Sequence, residues 1–286
     1  MRSIVAIGES AYHFAEFLSP FPEYSVYTLG NKEEEFKIPV FTKAERYEDP
    51  IDGLGEYIST ATEKVVCVVS GGDVCSLATL MILEHLKDRQ IEIVYLQPNL
   101  QILNDGGTKV HNLVHGVLQE MTRSKVFNRF YLFDLELVRK ITPKVPLGEL
   151  PKAISQNCAK HYQTYNWLSS QKPIFLMDEG ISANSVISTI AYCDFNLTTQ
   201  SELGMIRFIR EQEVFYGLAE NKVKEDTELY DKVLKSFTDF KKDDIRTSFK
   251  VFSVPYTEDV VYVRNSTTAV QNKILAEALD KDKESK

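Results

Sequence analysis

Between Val65 and Asn99 the hydrophobic period of the chain changes twice, and few folds accommodate that. Val65, Val66, Cys67, Val68 and Val69 form an unbroken apolar run that stops at Ser70, Gly71 and Gly72. From Cys75 apolar residues recur three and four apart to about Lys87 or Asp88; Ile91, Ile93, Tyr95 and Leu96 then make a second run closed by Pro98. A short continuous run is a strand buried on both faces, and three-and-four spacing is a helix. The stretch is a strand-helix-strand unit with its glycines at the first turn. Such a turn brings backbone N–H groups close to a ligand, and the helix N-terminus after it favours an anion, most often phosphate. Asp73 points the other way, since a carboxylate in the turn repels phosphate, and a Gly-Gly pair also serves simply to reverse the chain.

The same signal opens the chain. Ile4 to Ile7 is a short buried strand, Gly8-Glu9-Ser10 a turn, and Ala11, Phe14, Ala15, Phe17 and Leu18 mark a helix halted by Pro20. Ser25 to Leu29 is the next strand, Gly53 to Thr60 a weak helix, and the segment between them, from Glu33 to Asp52, gives no pattern. Beyond Pro98, Gly106-Gly107 precedes an amphipathic helix over 108–122, and the strand Phe130 to Phe133 ends in Asp134-Leu135-Glu136. Carboxyl ends of parallel strands are where ligands sit, so these acids are candidates for ribose hydroxyls, or else a solvated loop or helix cap. Leu147 to Ser170 carries the longest helical pattern, through Leu150, Ile154, Cys158, Tyr162, Tyr165 and Leu168, with Pro151 tolerable only in the first turn. About 24 helical residues span ~36 Å, enough to strut two halves of a molecule. Ile174 to Met177 follows, then a helical stripe of Val186, Ile187 and Ile190. The last third mixes strands over 213–219, 248–254 and 260–263 with helices over 202–210, 227–240 and 267–279, a smaller α+β unit.

Composition limits the partners. The 286 residues carry a net charge of −8, which argues against nucleic acid or an anionic membrane, both of which demand a basic face. Cys67, Cys75, Cys158 and Cys193 sit in apolar or helical settings without metal-ligand spacing, as reduced thiols in a reducing compartment would. The N-terminus shows no signal h-region and no run approaches the ~18 apolar residues of a membrane span, so a cytoplasmic protein is expected.

With the glycine turn, the long helix and the second unit in place, the chain resembles the tubulin/FtsZ superfamily across nearly its whole length, at a size close to its phage and plasmid members. The family signature GGGTGSG corresponds to Ser70-Gly71-Gly72-Asp73-Val74-Cys75-Ser76, followed by the aliphatic helix LATLMILEHLK. The resemblance implies an α/β fold: a Rossmann-like parallel-sheet domain over 1–146, a central helix over 147–172 and a smaller α+β domain over 173–286. It implies GTP, with Mg possible. Gly8, Glu9 and Ser10 stand where the family's first phosphate-contacting loop lies, Ser70, Gly71, Gly72, Asp73, Cys75 and Ser76 at its signature, Asp134 and Glu136 at its ribose contacts, and Asn157 at the asparagine that reads the base. It also implies head-to-tail self-association, in which an acidic loop after the central helix completes hydrolysis on the next subunit; Asp178 and Glu179 are the acids available. Of the signature's glycines only Gly71 and Gly72 remain, and Asp73, Val74, Cys75 and Ser76 add side chains. The phosphate loop is therefore expected to be degenerate, at a cost on the order of 1 to 2 kcal/mol for strain and more for charge repulsion.

Two further classes fit the residues. One keeps the fold and drops the nucleotide: a pseudo-GTPase acting as a structural or regulatory binding protein. The other is an unrelated Rossmann-like enzyme acting on a small phosphorylated substrate, with His13, His85, His111, His115 and His161 as bases or Cys75, at a helix start, as nucleophile.

Overall fold

The computed structural model describes residues 1–32, 36–39, 50–177, 186–269 and 271. Asp178 and Glu179 lie outside them, as does nearly all of the helix expected over 267–279. The chain begins β1 (Arg2–Ile7), α1 (Glu9–Leu18), β2 (Tyr24–Gly30), β3 (Phe36–Lys37), α2 (Leu54–Ile58), β4 (Lys64–Ser70), α3 (Thr79–His85) and β5 (Gln90–Gln97). It continues through α4 (Asp105–Arg123), β6 (Arg129–Asp134), α5 (Leu135–Ile141) and the long α6 (Leu150–Ser170). Then come β7 (Phe175–Met177), β8 (Val186–Cys193), β9 (Gln200–Glu202), β10 (Glu211–Ala219), α7 (Glu220–Glu225), α8 (Leu229–Phe240), β11 (Arg246–Val254) and β12 (Val260–Thr267).

All the described strands join one sheet in the order β3-β2-β1-β4-β5-β6-β8-β12-β10-β11-β7, with β9 also on β8. From β3 to β6 every pair is parallel, and the order 3-2-1-4-5-6 reverses between β1 and β4. That reversal is a topological switch point, where open α/β sheets leave a crevice at the strand ends. The turns after β1 and β4 are the two glycine turns. β8 joins β6 in parallel at only three positions, Arg129 with Val186 through Tyr131 with Ser188, and β12 runs antiparallel to both β8 and β10.

The burial pattern explains the strand composition. β4 hides Val65 to Ser70 completely because helices cover both faces, so a continuous apolar run is required there. One face packs α1, α5 and α6; the other packs α2, α3 and α4 and, further along, α8. α6 begins with Pro151 in its first turn and buries Ile154, Ser155, Cys158, Ala159, Tyr162, Tyr165 and Leu168 in one unbroken run. Its core includes Phe14 of α1 and Tyr131 of β6 together with Phe215, Phe252 and Tyr262 of the antiparallel part. Tyr165 lies edge-on to Phe215 at 5.0 Å and to Tyr131 at 5.9 Å, between centroids, so one helix fills the core on both sides of the β6–β8 seam. In the antiparallel part Glu213 is buried between Arg264, at 2.7 Å, and Lys250, at 2.7 Å.

Three local expectations are corrected. Residues 186–193 are strand, not helix: Val186, Ile187, Thr189 and Ile190 are β-branched and the run is buried on both faces, which an apolar stripe in so short a segment cannot distinguish from a helix. Residues 202–210 are not helical either. β9 ends at Glu202, and Gly204 lies so close to β6 that a Cβ there would come within 2.1 Å of the Leu132 carbonyl oxygen. The helix expected from Cys75 starts as a tight 3₁₀ turn, Val74–Ala78, before α3 takes over.

Candidate functional site

β1 ends at Ile7 and the chain turns through Gly8, at φ +86°, into α1. β4 ends at Ser70 and turns through Gly71 and Gly72, the latter at φ +76°. At Gly71 the neighbours demand the missing side chain, because a Cβ would lie 2.6 Å from the Pro98 ring and 2.8 Å from the Leu96 carbonyl. The proline closing β5 and the glycine leaving β4 are therefore one packing unit. Leu103 covers Gly72, within 3.1 Å of where its Cβ would stand.

The two turns meet. The Ala11 N–H donates to Ser70 Oγ at 2.8 Å, and Asp73 spans the gap more directly. Its Oδ2 accepts from the Glu9 N–H at 3.0 Å and its Oδ1 from the Cys75 N–H at 2.9 Å. Ser76 Oγ in turn donates to the Asp73 carbonyl at 2.6 Å. Gly8 makes this possible, since a Cβ there would sit 2.6 Å from Asp73 Oδ2. Cys75 and Ser76 are buried. Lys32 lies 3.5 Å from Glu9 Oε1 and over the Tyr12 ring at 4.4 Å.

The other expected residues sit along the same strand ends and on the helices behind them. Asp134 caps α5: its Oδ1 accepts from the N–H groups of Glu136, at 2.9 Å, and Leu137, at 3.3 Å, while Gln97 donates to Oδ2 at 3.2 Å. Burial holds its carboxyl above the usual range despite those bonds. Glu136 accepts from Arg139 at 2.5 Å and from Asn99 at 3.3 Å. Asn157, on α6, donates to Thr142 Oγ1 at 3.2 Å. A network absent from the sequence reading joins α1 to α6: Glu16 accepts from Lys152 at 2.9 Å and Gln156 at 3.4 Å, with His13 at 3.4 Å. The Lys152 bond keeps the Glu16 carboxyl below the ordinary range. Only coordinates reveal such a cross-helix set, because its members lie far apart in sequence. Cavities of about 490 Å³, beside Lys222 and Asp259, and about 230 Å³, beside Arg2 and Glu92, lie away from these turns.

For Cys75, His111, His115 and His161 the arrangement does not favour the enzyme reading with thiol or histidine chemistry. Cys75 is 2% exposed. His111 and His115 stack on each other and His115 stacks on Tyr95, whose hydroxyl lies 2.9 Å from His111 Nδ1. His161 bonds the Tyr262 hydroxyl at 3.0 Å. These are packed rings held by structural partners. At the two glycine turns the Glu9 and Cys75 amides both donate to the Asp73 carboxylate.

No family model and no curated protein sequence matches the chain. Solved structures do. A GTPγS-form protofilament of TubZ from Bacillus thuringiensis serovar israelensis is 9% identical, with a TM-score of 0.65 over 100% of this chain and 93% of that one. CetZ1 from Haloferax volcanii, a GDP-bound monomer, is 11% identical, with a TM-score of 0.66 over 97% of both chains. An FtsZ dimer from M. jannaschii is 10% identical, with a TM-score of 0.64 over 93% of this chain and 87% of that one. The likeness covers nearly the whole chain at 9–11% identity. The chain has the tubulin/FtsZ fold.

Proposed function

We propose that this protein is a tubulin-like subunit that associates head to tail with copies of itself or with a protein partner, through a nucleotide site that is degenerate. The observation carrying the reading is the full-length match to a chain in a TubZ protofilament. Both ends of such a subunit take part in a heterologous contact, which builds open filaments when its rotation does not close a ring. The acidic net charge of −8 suits a protein partner better than nucleic acid. In this reading residues 1–146 form the nucleotide-binding-like domain, 147–172 the central helix and 173–286 the second domain, in a cytoplasmic protein.

GTP, with Mg, is the ligand the fold suggests, and Gly8, Glu9, Ser10, Ser70, Gly71, Gly72, Asp73, Cys75, Ser76, Asp134, Glu136 and Asn157 are the positions where it would be met. Degeneracy is supported by the side chains at 73–76 and by the bonds that already engage Asp73, Asp134, Glu136 and Asn157. Asp178 and Glu179 would be the acids presented to the next subunit, but assembly in this reading does not require turnover. Among the described residues no helix is long and apolar enough to cross a membrane.

Sedimentation of the purified protein at high concentration, with and without GTP and magnesium, tests this. Polymer or oligomer is expected in both conditions, with little change in melting temperature; a ligand at 100 times its Kd would stabilise by about 2.7 kcal/mol. A strict monomer in both conditions contradicts self-association, and a large GTP-dependent rise in melting temperature contradicts degeneracy.

A further inference from the structure

We propose that the Asp73 carboxylate is a built-in anion that closes the phosphate end of the site, occupying from within the chain the amides a nucleotide phosphate would need. This rests on the degenerate-site reading above and names the group responsible.

At the switch point the two crossovers present the Glu9 N–H, at the start of α1, and the Cys75 N–H, at the start of the 3₁₀ turn. Both donate to the same carboxylate, one to each oxygen, at 3.0 and 2.9 Å. A carboxylate between two amide donors makes charge-assisted bonds, stronger than neutral ones. The contact is built rather than incidental. Gly8 adopts φ +86° and has no Cβ, and a Cβ would stand 2.6 Å from Asp73 Oδ2 and 2.8 Å from its Cγ. The backbone of the first turn thus gives way to the side chain of the second. Ser70 Oγ accepts from the Ala11 N–H at 2.8 Å and ties the same two turns together.

An external phosphate faces two obstacles here. It must displace an intramolecular competitor that is held at the amides at high effective concentration. If Asp73 stays near, it must also sit beside a negative charge in a partly desolvated turn, where Coulomb repulsion is strong. The first obstacle distinguishes a plug from plain repulsion: with the carboxylate gone, the amides lose a partner and an anion supplied from outside can replace it.

Wild type, D73A and D73N are compared by thermal melting and by calorimetric titration with inorganic pyrophosphate and, separately, with GDP and magnesium. D73A is expected to melt below wild type, to recover in millimolar pyrophosphate, and to bind pyrophosphate about tenfold or more tighter than wild type. D73N, which keeps the shape and one acceptor oxygen, is expected to respond much less than D73A. Should D73A fail to fold, D73S takes its place. If D73N responds as fully as D73A, charge alone excludes the anion and the plug is overturned. If neither variant responds and wild type is also silent, the plug is overturned while the degenerate-site reading stands. If wild type itself binds GDP or pyrophosphate tightly, both fall.

Discussion

Acidification from pH 7 to pH 5 is expected to remove on the order of 5 kcal/mol of folding stability, well before most carboxylates titrate. Burial lowers His111 to about 4 and His161 to about 4, and burial together with the neighbouring His111 lowers His115 to about 3. In the unfolded chain each returns to about 6.5. Folded values below unfolded ones mean that the neutral rings contribute fully above pH ~6.5, and that this contribution is lost as pH falls toward 4. Each histidine is worth up to about 2 kcal/mol at pH 5, somewhat less for the half-buried His161. The packing gives the reason: His111 and His115 lie 5.0 Å apart between ring centroids, against Tyr95 and Phe130, and His115 Nε2 has no hydrogen-bond partner to share a second proton. His161 is flanked by Tyr262, Tyr192 and Lys160, and the lysine charge opposes protonation further. Urea midpoints measured across pH 5 to 8 report the effect. An H115L/H161F double variant should flatten the curve; if it keeps the wild-type slope, the histidines are not the cause.

The second large effect is expected at Arg264. Its guanidinium is 3% exposed and pairs with Glu213, which is 7% exposed, so R264M leaves a buried carboxylate with Lys250 as its remaining cation. Breaking one side of a buried pair costs about 3 kcal/mol, because the desolvation of the surviving charge is no longer offset. Lys250 is 31% exposed and softens the loss without abolishing it. In E213Q/R264M the buried carboxylate is gone and only the more exposed Lys250 loses its partner, so part of the stability should return. Equilibrium urea unfolding of the two single variants and the double decides this. If R264M unfolds within about 0.5 kcal/mol of wild type, the pair is not the anchor its burial suggests.

Much of the architecture is legible in the residues because two rules are strict. Strands covered on both faces must be apolar throughout, which exposes β1 and β4, and a helix crossing a whole core needs a long repeat, which exposes α6. The rules fail where burial erases the period. Val186 to Cys193 is buried on both faces apart from Tyr192, so the positions of its apolar residues do not separate strand from helix and its β-branched content is what favours a strand. Gly204 is a helix breaker in hindsight, but the reason it is glycine is a carbonyl of β6, far away in sequence. The site divides in the same way. Its two turns can be placed from glycines alone, and the presence of Asp73 is plain from the sequence. That the carboxylate reaches the start of α1 follows from the switch point, a property of strand order that no single segment encodes.

The seam between β6 and β8 has three paired positions, whereas the rings beneath it, Tyr131, Tyr162, Tyr165, Phe215 and Tyr262, interlock across both sides. Backbone bonds can be remade after a small slide, but meshed rings resist one, since protein interiors are densely packed and resist compression. A push delivered at the antiparallel end is therefore not absorbed at the seam. To move, those strands would have to carry α6 with them, and α6 is tied by Lys152 to Glu16 of α1 and by Asn157 to Thr142 just beyond α5.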